Sequence, residues 1–264
     1  MAHMTLDFKS TALTRNVSME VFLPGGEGLP TVNPPYKTLY FLPGFSASAV
    51  EMATYLNFRY LGLLHGLAIV IVNGDNSFYV DQPQVMANYS DYITNELLTF
   101  TRSILPLSDK REDTFIGGIS MGGFGAIING IKASDKFSKI VAMSPGVDMY
   151  DLAHRQDQQL FQVATFDYLF GSEEQYNTSY ESNRYAVLNA QKENRPIPEL
   201  FISCGTEDQL VGPQVTDFLA FLKEHDVPYT YETAAGAHDI MHWAAMLPKA
   251  IGFLDAKPAD TANN

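Results

Sequence analysis

A chain of 264 residues with 46% hydrophobic and 18% charged side chains has the length and make-up of one large globular domain. Its formal net charge of -13 repels nucleic-acid phosphates and anionic membrane surfaces, so neither is expected as a partner. The single cysteine, Cys204, excludes an intrachain disulfide, and no apolar run approaches membrane-spanning length.

In chain order, Met1-Ala2-His3-Met4 reads as a cloning scar ahead of a native Met4. No secretory signal follows, so a cytoplasmic location is expected, with secretion open if a leader has been removed. Asp7 to Ser10 and Val17 to Leu23 read as strands with no helix between them, hence as an antiparallel edge. A proline-rich loop leads to a strand at Thr38 to Leu42, stopped by Pro43-Gly44. His65 lies in a helix before Leu67 to Val72, whose continuous apolar, largely β-branched run suits a central parallel strand. Ile93, Leu97, Phe100 and Ile104 predict a helix over 91–104 with one buried stripe. Thr114 to Gly117 is a strand, and Gly123 to Ile131 a helix rich in small residues. Lys139 to Met143 is a strand closed by Ser144-Pro145-Gly146. The stretch 148–195 is polar and aromatic, an insertion near the site with short helical pieces at best, around 157–170. Leu200 to Cys204 and Tyr229 to Thr233 complete the strands, with helices at Gln214 to Lys223 and Trp243 to Leu254. Residues 257–264 read as a disordered tail of a single domain spanning 1–264. Strands alternating with helices imply a mostly parallel sheet covered on both faces.

Between the strand at 114 and the helix at 123 stands Gly118-Ile119-Ser120-Met121-Gly122, which spells G-x-S-x-G. Strand, tight turn and helix are the context that makes this pattern a nucleophile elbow, with the Ser120 hydroxyl projecting from the sheet. The two glycines answer close backbone packing that a Cβ would obstruct.

A serine hydroxyl needs a base, and the base an orienting acceptor, in chain order Ser, acid, His for such an elbow. Both belong at the carboxyl ends of strands. Glu207 and Asp208 follow one strand, Asp208 with the longer excursion toward the site; His238 follows the last strand. His242, one helical turn on, is the serious rival and is expected to pack beside Trp243. His238-Asp239-Ile240-Met241-His242 also approaches the zinc pattern H-E-x-x-H. Its acid is Asp and no third ligand follows by spacing, so no metal and no cofactor are expected. The oxyanion needs two donors: the N–H of Met121, after the nucleophile, and that of Phe45, in the loop after the strand at 38–42, where Gly44 lets the backbone in close. Cys204, in an apolar strand, is expected to be a small buried hydrophobe.

The runs Leu39-Tyr40-Phe41-Leu42-Pro43-Gly44-Phe45, Asn76-Ser77-Phe78-Tyr79-Val80-Asp81, Phe115 to Gly125, Cys204-Gly205-Thr206-Glu207-Asp208 and Gly236 to Trp243 together resemble the esterase D-like branch of the α/β-hydrolases. Within it the chain is most similar to small bacterial tributyrin esterases, with S-formylglutathione hydrolases, feruloyl and acetyl-xylan esterases and mycolyltransferases as relatives. The resemblance implies an α/β-hydrolase fold with Ser120 as nucleophile, Asp208 as acid and His238 as base. It also implies Phe45 and Met121 as oxyanion donors. The chain departs from the family at Pro43-Gly44, where His-Gly is usual, and at Phe78-Tyr79, where Trp-Tyr is common. The first leaves the support of the oxyanion loop to be found elsewhere. The second implies a changed acyl pocket, with Phe78, Tyr79 and Trp243 as candidate substrate contacts.

The expected activity is hydrolysis of short-acyl or hydroxycinnamoyl esters, carbohydrate-linked ones among them, through an acyl-serine. The alternatives are acyl transfer to a sugar or alcohol, a thioesterase like S-formylglutathione hydrolase, and a binding module on the same scaffold. A homo-oligomer is compatible with the sequence.

Overall fold

The computed structural model describes residues 1–25, 33–155 and 162–255. Two nine-residue strands, β1 (Ala2–Ser10) and β2 (Arg15–Leu23), form an antiparallel pair, followed by β3 (Thr38–Leu42). Two short helices, α1 (Ala49–Tyr55) and α2 (Phe58–Leu64), precede β4 (Ala68–Val72). A two-stranded ribbon, β5 (Asp81–Gln82) with β6 (Ala87–Asn88), leads into a helical run of α3 (Tyr89–Asp91), a π-turn (Tyr92–Glu96) and α4 (Leu97–Ile104). Then come β7 (Thr114–Ile119), α5 (Met121–Lys132) and β8 (Lys139–Met143). Four helices fill the next stretch: α6 (Met149–His154), α7 (Val163–Phe170), α8 (Glu173–Asn177) and α9 (Asn183–Lys192). The chain closes with β9 (Glu199–Gly205), α10 (Gly212–Glu224), β10 (Tyr229–Ala234) and α11 (Ile240–Asp255).

The main sheet has eight strands in the order β1-β2-β4-β3-β7-β8-β9-β10. From β4 to β10 every pairing is parallel; β1 and β2 are the antiparallel edge. Strands β3, β4, β7 and β8 are buried at every position, because helices cover both faces. One face packs against α4, α5, α9 and α10 through Leu97, Phe124, Ala186 and Phe218. The other packs against α1, α2 and α11 through Met52, Phe58 and Met246. Burying this much apolar side chain, at about 25 cal/mol per Å², is what holds the sheet between its two layers. Among the described residues no helix is long and apolar enough to cross a membrane.

Ala2 and His3, within the expected scar, pair into β1, and the His3 ring bonds the buried Glu20 carboxylate at 2.6 Å. Two expectations need correcting. Among its described residues the insertion carries four helices, and Phe170 of α7 seats its ring 5.9 Å from Phe124 and 6.0 Å from Phe78. The predicted stripe over 91–104 holds at Ile93 and Leu97, but Ile104 is exposed and Leu98 and Thr101 are buried instead. The π-turn supplies the reason: its wider turn advances the buried face by one residue. Residues 257–264, expected as a tail, lie outside the described residues.

Candidate active site

Strand β7 ends at Ile119 and α5 begins at Met121, so Ser120 alone makes the turn, at φ 54° and ψ -115°. A non-glycine residue in that region is strained, and the surrounding contacts hold it there. A Cβ on Gly122 would overlap the Leu42 carbonyl oxygen and lie 2.6 Å from that of Pro43. A Cβ on Gly118 would lie 2.6 Å from the Leu42 carbonyl oxygen. Gly44 is different: a Cβ there would meet Ile119 O at 3.4 Å and Ser120 Cβ at 3.5 Å, so its smallness is not needed for the close approach expected of it. The Ser120 N–H donates to Met143 O at 2.9 Å, and Gly146 N–H donates to Ser120 O at 3.1 Å, which pins the elbow to the end of β8.

Asp208 lies in the loop after β9 and His238 in the bend between β10 and α11. Three chain-distant residues meet here. His238 Nδ1 is 2.8 Å from Asp208 Oδ2, and its Nε2 is 2.9 Å from Ser120 Oγ. With Nδ1–H donating to the carboxylate, Nε2 is left to accept the serine proton. Asp208 Oδ1 accepts from the N–H groups of Leu210 and Val211, both at 3.1 Å. Burial pushes the Asp208 carboxyl up, but the His238 hydrogen bond and charge, the Val211 N–H and the nearby Ser144 hydroxyl outweigh it and hold the group below the ordinary Asp value. Glu207, the other acid considered, is exposed.

A depressed carboxyl contributes stability that is present above the unfolded value, near 3.9, and lost as pH falls through the lower folded value. Asp208→Asn is therefore expected to flatten the acid side of the stability curve. Urea midpoints taken from about pH 5 down to about pH 2.5 should fall less steeply in the variant than in the wild type.

His242 is buried under Gly236, and neither of its ring nitrogens has a partner among the described residues. It does not reach Ser120. The zinc-like spacing dissolves as well: His238 precedes α11, so the two histidines share no helical face, and both His238 nitrogens are engaged. Cys204 is buried on β9, and burial followed by the Asp208 charge pushes its thiol up to about 12, in line with a packing role.

The N–H groups of Met121 and Phe45 have no partner among the described residues. Met121 opens the twelve-residue helix α5, so its amide also carries the positive end of the helix dipole. The loop holding Phe45 is supported from the segment after β4. Asn76 Oδ1 accepts the Ser46 N–H at 2.6 Å, and the Tyr79 hydroxyl donates to Pro43 O at 2.8 Å. Asn76, Phe78 and Tyr79 all adopt positive φ to do this. The Tyr79 ring fills a slot where a Cβ on Gly125 would lie 2.5 Å away. These contacts supply the support that Pro43 leaves open.

Phe78 and Tyr79 were expected to line an acyl pocket; both rings are fully buried and present no surface to a substrate. Phe78 instead backs the exposed Phe45 ring at 5.9 Å. Trp243 stands edge-on to His238 at 5.2 Å, with its indole N–H given to Ser144 Oγ at 3.2 Å. Tyr79→Phe should lower kcat about tenfold with KM within about twofold, because the loop relaxes while the substrate surface is unchanged. Steady-state kinetics on a simple ester checks this.

Strand, one-residue elbow and helix on a mostly parallel, doubly covered sheet define an α/β-hydrolase. The chain belongs to the family described as "Putative esterase", whose model matches residues 10–254. It is 30% identical over 264 residues to an acetyl esterase of Caldicellulosiruptor saccharolyticus, covering 96% of this chain and 98% of that one. A substrate-bound fluorophosphonate-binding serine hydrolase of Staphylococcus aureus superposes with a TM-score of 0.84 at 29% identity, over 97% of this chain and 99% of that one. An S-formylglutathione hydrolase of the same organism, solved as the apoenzyme, gives the same TM-score of 0.84 at 29% identity and the same 97% and 99% coverage.

Proposed function

We propose that the protein is a serine carboxylic-ester hydrolase working through an acyl-Ser120 intermediate. The unbroken relay from Ser120 Oγ through His238 to Asp208, with links of 2.9 and 2.8 Å, carries this proposal. His238 takes the hydroxyl proton as Ser120 Oγ attacks the ester carbonyl carbon. The carbonyl oxygen becomes an oxyanion facing the free N–H groups of Phe45 and Met121. On collapse the C–O bond to the alcohol breaks, and His238 returns the proton to the departing oxygen. A water then attacks the acyl-serine with the same base, releasing acid and free Ser120. Asp208, anionic throughout the neutral range, holds the imidazole tautomer and offsets the imidazolium charge.

Short acyl groups fit best. The ring of Phe78 behind Phe45 and the rings of Phe124 and Phe170 behind that are buried, leaving little depth for a long chain. The likeness to an acetyl esterase supports the same preference. The likeness to an S-formylglutathione hydrolase favours a second substrate class, thioesters with a small acyl group. Chromogenic esters from acetate to octanoate, methyl ferulate and S-formylglutathione should be compared by kcat/KM. The expected order falls steadily beyond butyrate; octanoate or ferulate outrunning acetate would overturn the short-acyl assignment. Adding an acceptor alcohol during turnover tests transfer, with free acid expected to remain the main product.

A further inference from the structure

We propose that Ser144 and Trp243 are positioning residues, a second relay that ties together the three segments bearing Ser120, Asp208 and His238. This rests on the triad proposed above. Ser144 follows β8, is fully buried, and is held at φ 43°, a strained value for a residue with a side chain. Its N–H donates to Ser203 O at 2.6 Å, on the strand that delivers Asp208. Met143, just before it, and Gly146, two residues on, make the two backbone bonds that pin the Ser120 elbow. Its hydroxyl oxygen accepts the indole N–H of Trp243, whose ring abuts the His238 imidazole edge-on.

An oxygen that accepts from the indole keeps its own hydrogen to donate, and the groups beside it that can take it are the Asp208 carboxylate, the stronger acceptor, and the Cys204 thiol. Trp243 thus fixes the direction of a hydroxyl that shares the negative charge of the acid. Besides His238, the ionisable groups around Asp208 are the Cys204 thiol on β9, Tyr231 on β10, and Glu207 and Arg155, which line the same cavity. The Arg155 guanidinium is turned to the carbonyls of Leu210 and Gln209. On the His238 side the nearest ionisable groups of the α11 segment are Asp239, which accepts the His242 N–H at 3.0 Å, and the buried His242.

Removing the Ser144 donor leaves the Asp208 charge less shared, so the carboxylate pulls harder on positive charge at the imidazole beside it. The test compares Ser144→Ala, Ser144→Gly and Trp243→Phe with wild type and Ser120→Ala. Glycine accepts the left-handed backbone, so it separates the missing hydroxyl from any folding defect. Phenylalanine keeps a ring against His238 without the N–H. Each single variant should lose about tenfold in kcat with KM within about twofold. The acid limb of kcat/KM should move to higher pH by roughly half a unit. The Ser144→Ala/Trp243→Phe double variant should be no worse than Ser144→Ala, because both act through one hydroxyl. Trp243 is the sole tryptophan, and an adjacent imidazolium quenches indole emission, so wild-type fluorescence should titrate with the acid limb and follow it in Ser144→Ala. An unshifted acid limb in Ser144→Gly and Trp243→Phe, additive losses in the double variant, or emission that is flat across the limb would each overturn the proposal. In those cases complete fluorophosphonate labelling of the wild type and none of Ser120→Ala would show that the triad itself stands.

Discussion

Ser120→Ala is expected to abolish ester hydrolysis, with a fall in kcat of about 10⁴–10⁶-fold, while the fold persists. Alanine keeps the Cβ, so the backbone at φ 54° is no more strained than before, and the two bonds to Met143 and Gly146 are backbone bonds that survive the change. The buried hydroxyl gives its hydrogen bond to His238, whose Nε2 would then be free for water in a site where the ring is partly exposed. No buried group is stranded, and thermal unfolding should shift by no more than about 2 °C. What disappears is the hydroxyl that the His238 imidazole would deprotonate. Residual turnover from the oxyanion donors alone should sit near the lower limit of detection. A fluorophosphonate should label the wild type once per chain and leave the variant unlabelled. Retention of more than about one per cent of wild-type kcat would mean that another nucleophile does the chemistry.

The parts of this site that the sequence exposes are those with a strong local signal. The elbow is a five-residue pattern in a strand-turn-helix setting, and every glycine in that pattern answers a backbone collision that can be reasoned from the turn alone. Asp208 and His238 follow strands at the same edge of the sheet, so position selects the histidine, whereas Glu207 and Asp208 differ by one residue and only the three-dimensional direction of the loop separates them. Helix α1 was missed although Ser48 and Glu51 form a capping box at its start, a readable signal in a segment too short for periodicity to speak. The π-turn at 92–96 has no such signature. It is accompanied by Glu96 accepting the N–H groups of Thr11 and Ala12, 84 residues or more away in the chain, which no local window contains. Asn76 and Ser144, and the contacts that Tyr79 and Trp243 make, were hidden for a related reason. Each contacts a partner from another strand or loop, and Asn76, Tyr79 and Ser144 reach theirs from positive-φ backbones, which tertiary contacts impose against local preference.

Gly122→Ala should be the most damaging single-methyl change in the chain's catalytic region. The added carbon would overlap the Leu42 carbonyl oxygen and lie 2.5 Å from the Leu42 carbonyl carbon and 2.6 Å from the Pro43 carbonyl oxygen. All three are backbone atoms at the end of the fully buried β3, so no side chain can swing aside. Relief requires α5 to slide away from the sheet, and α5 is buried at every position from Met121 to Ile131. Close-packed interiors do not absorb such a shift cheaply, so a loss of about 4 kcal/mol or more is expected, against a typical domain stability of about 5–15 kcal/mol. The displacement also opens the gap between the Met121 and Phe45 amides, so activity falls with the fold and not after it. Gly44→Ala is the control without a collision: its methyl would meet Ile119 O and Ser120 Cβ at 3.4 and 3.5 Å, near ordinary contact. Urea unfolding should therefore show a large drop in midpoint for Gly122→Ala and a change of less than about 1 kcal/mol for Gly44→Ala. Equal stabilities for the two variants would mean that the elbow is looser than its geometry states, and that the strained backbone at Ser120 is not held by the wall of carbonyls behind it.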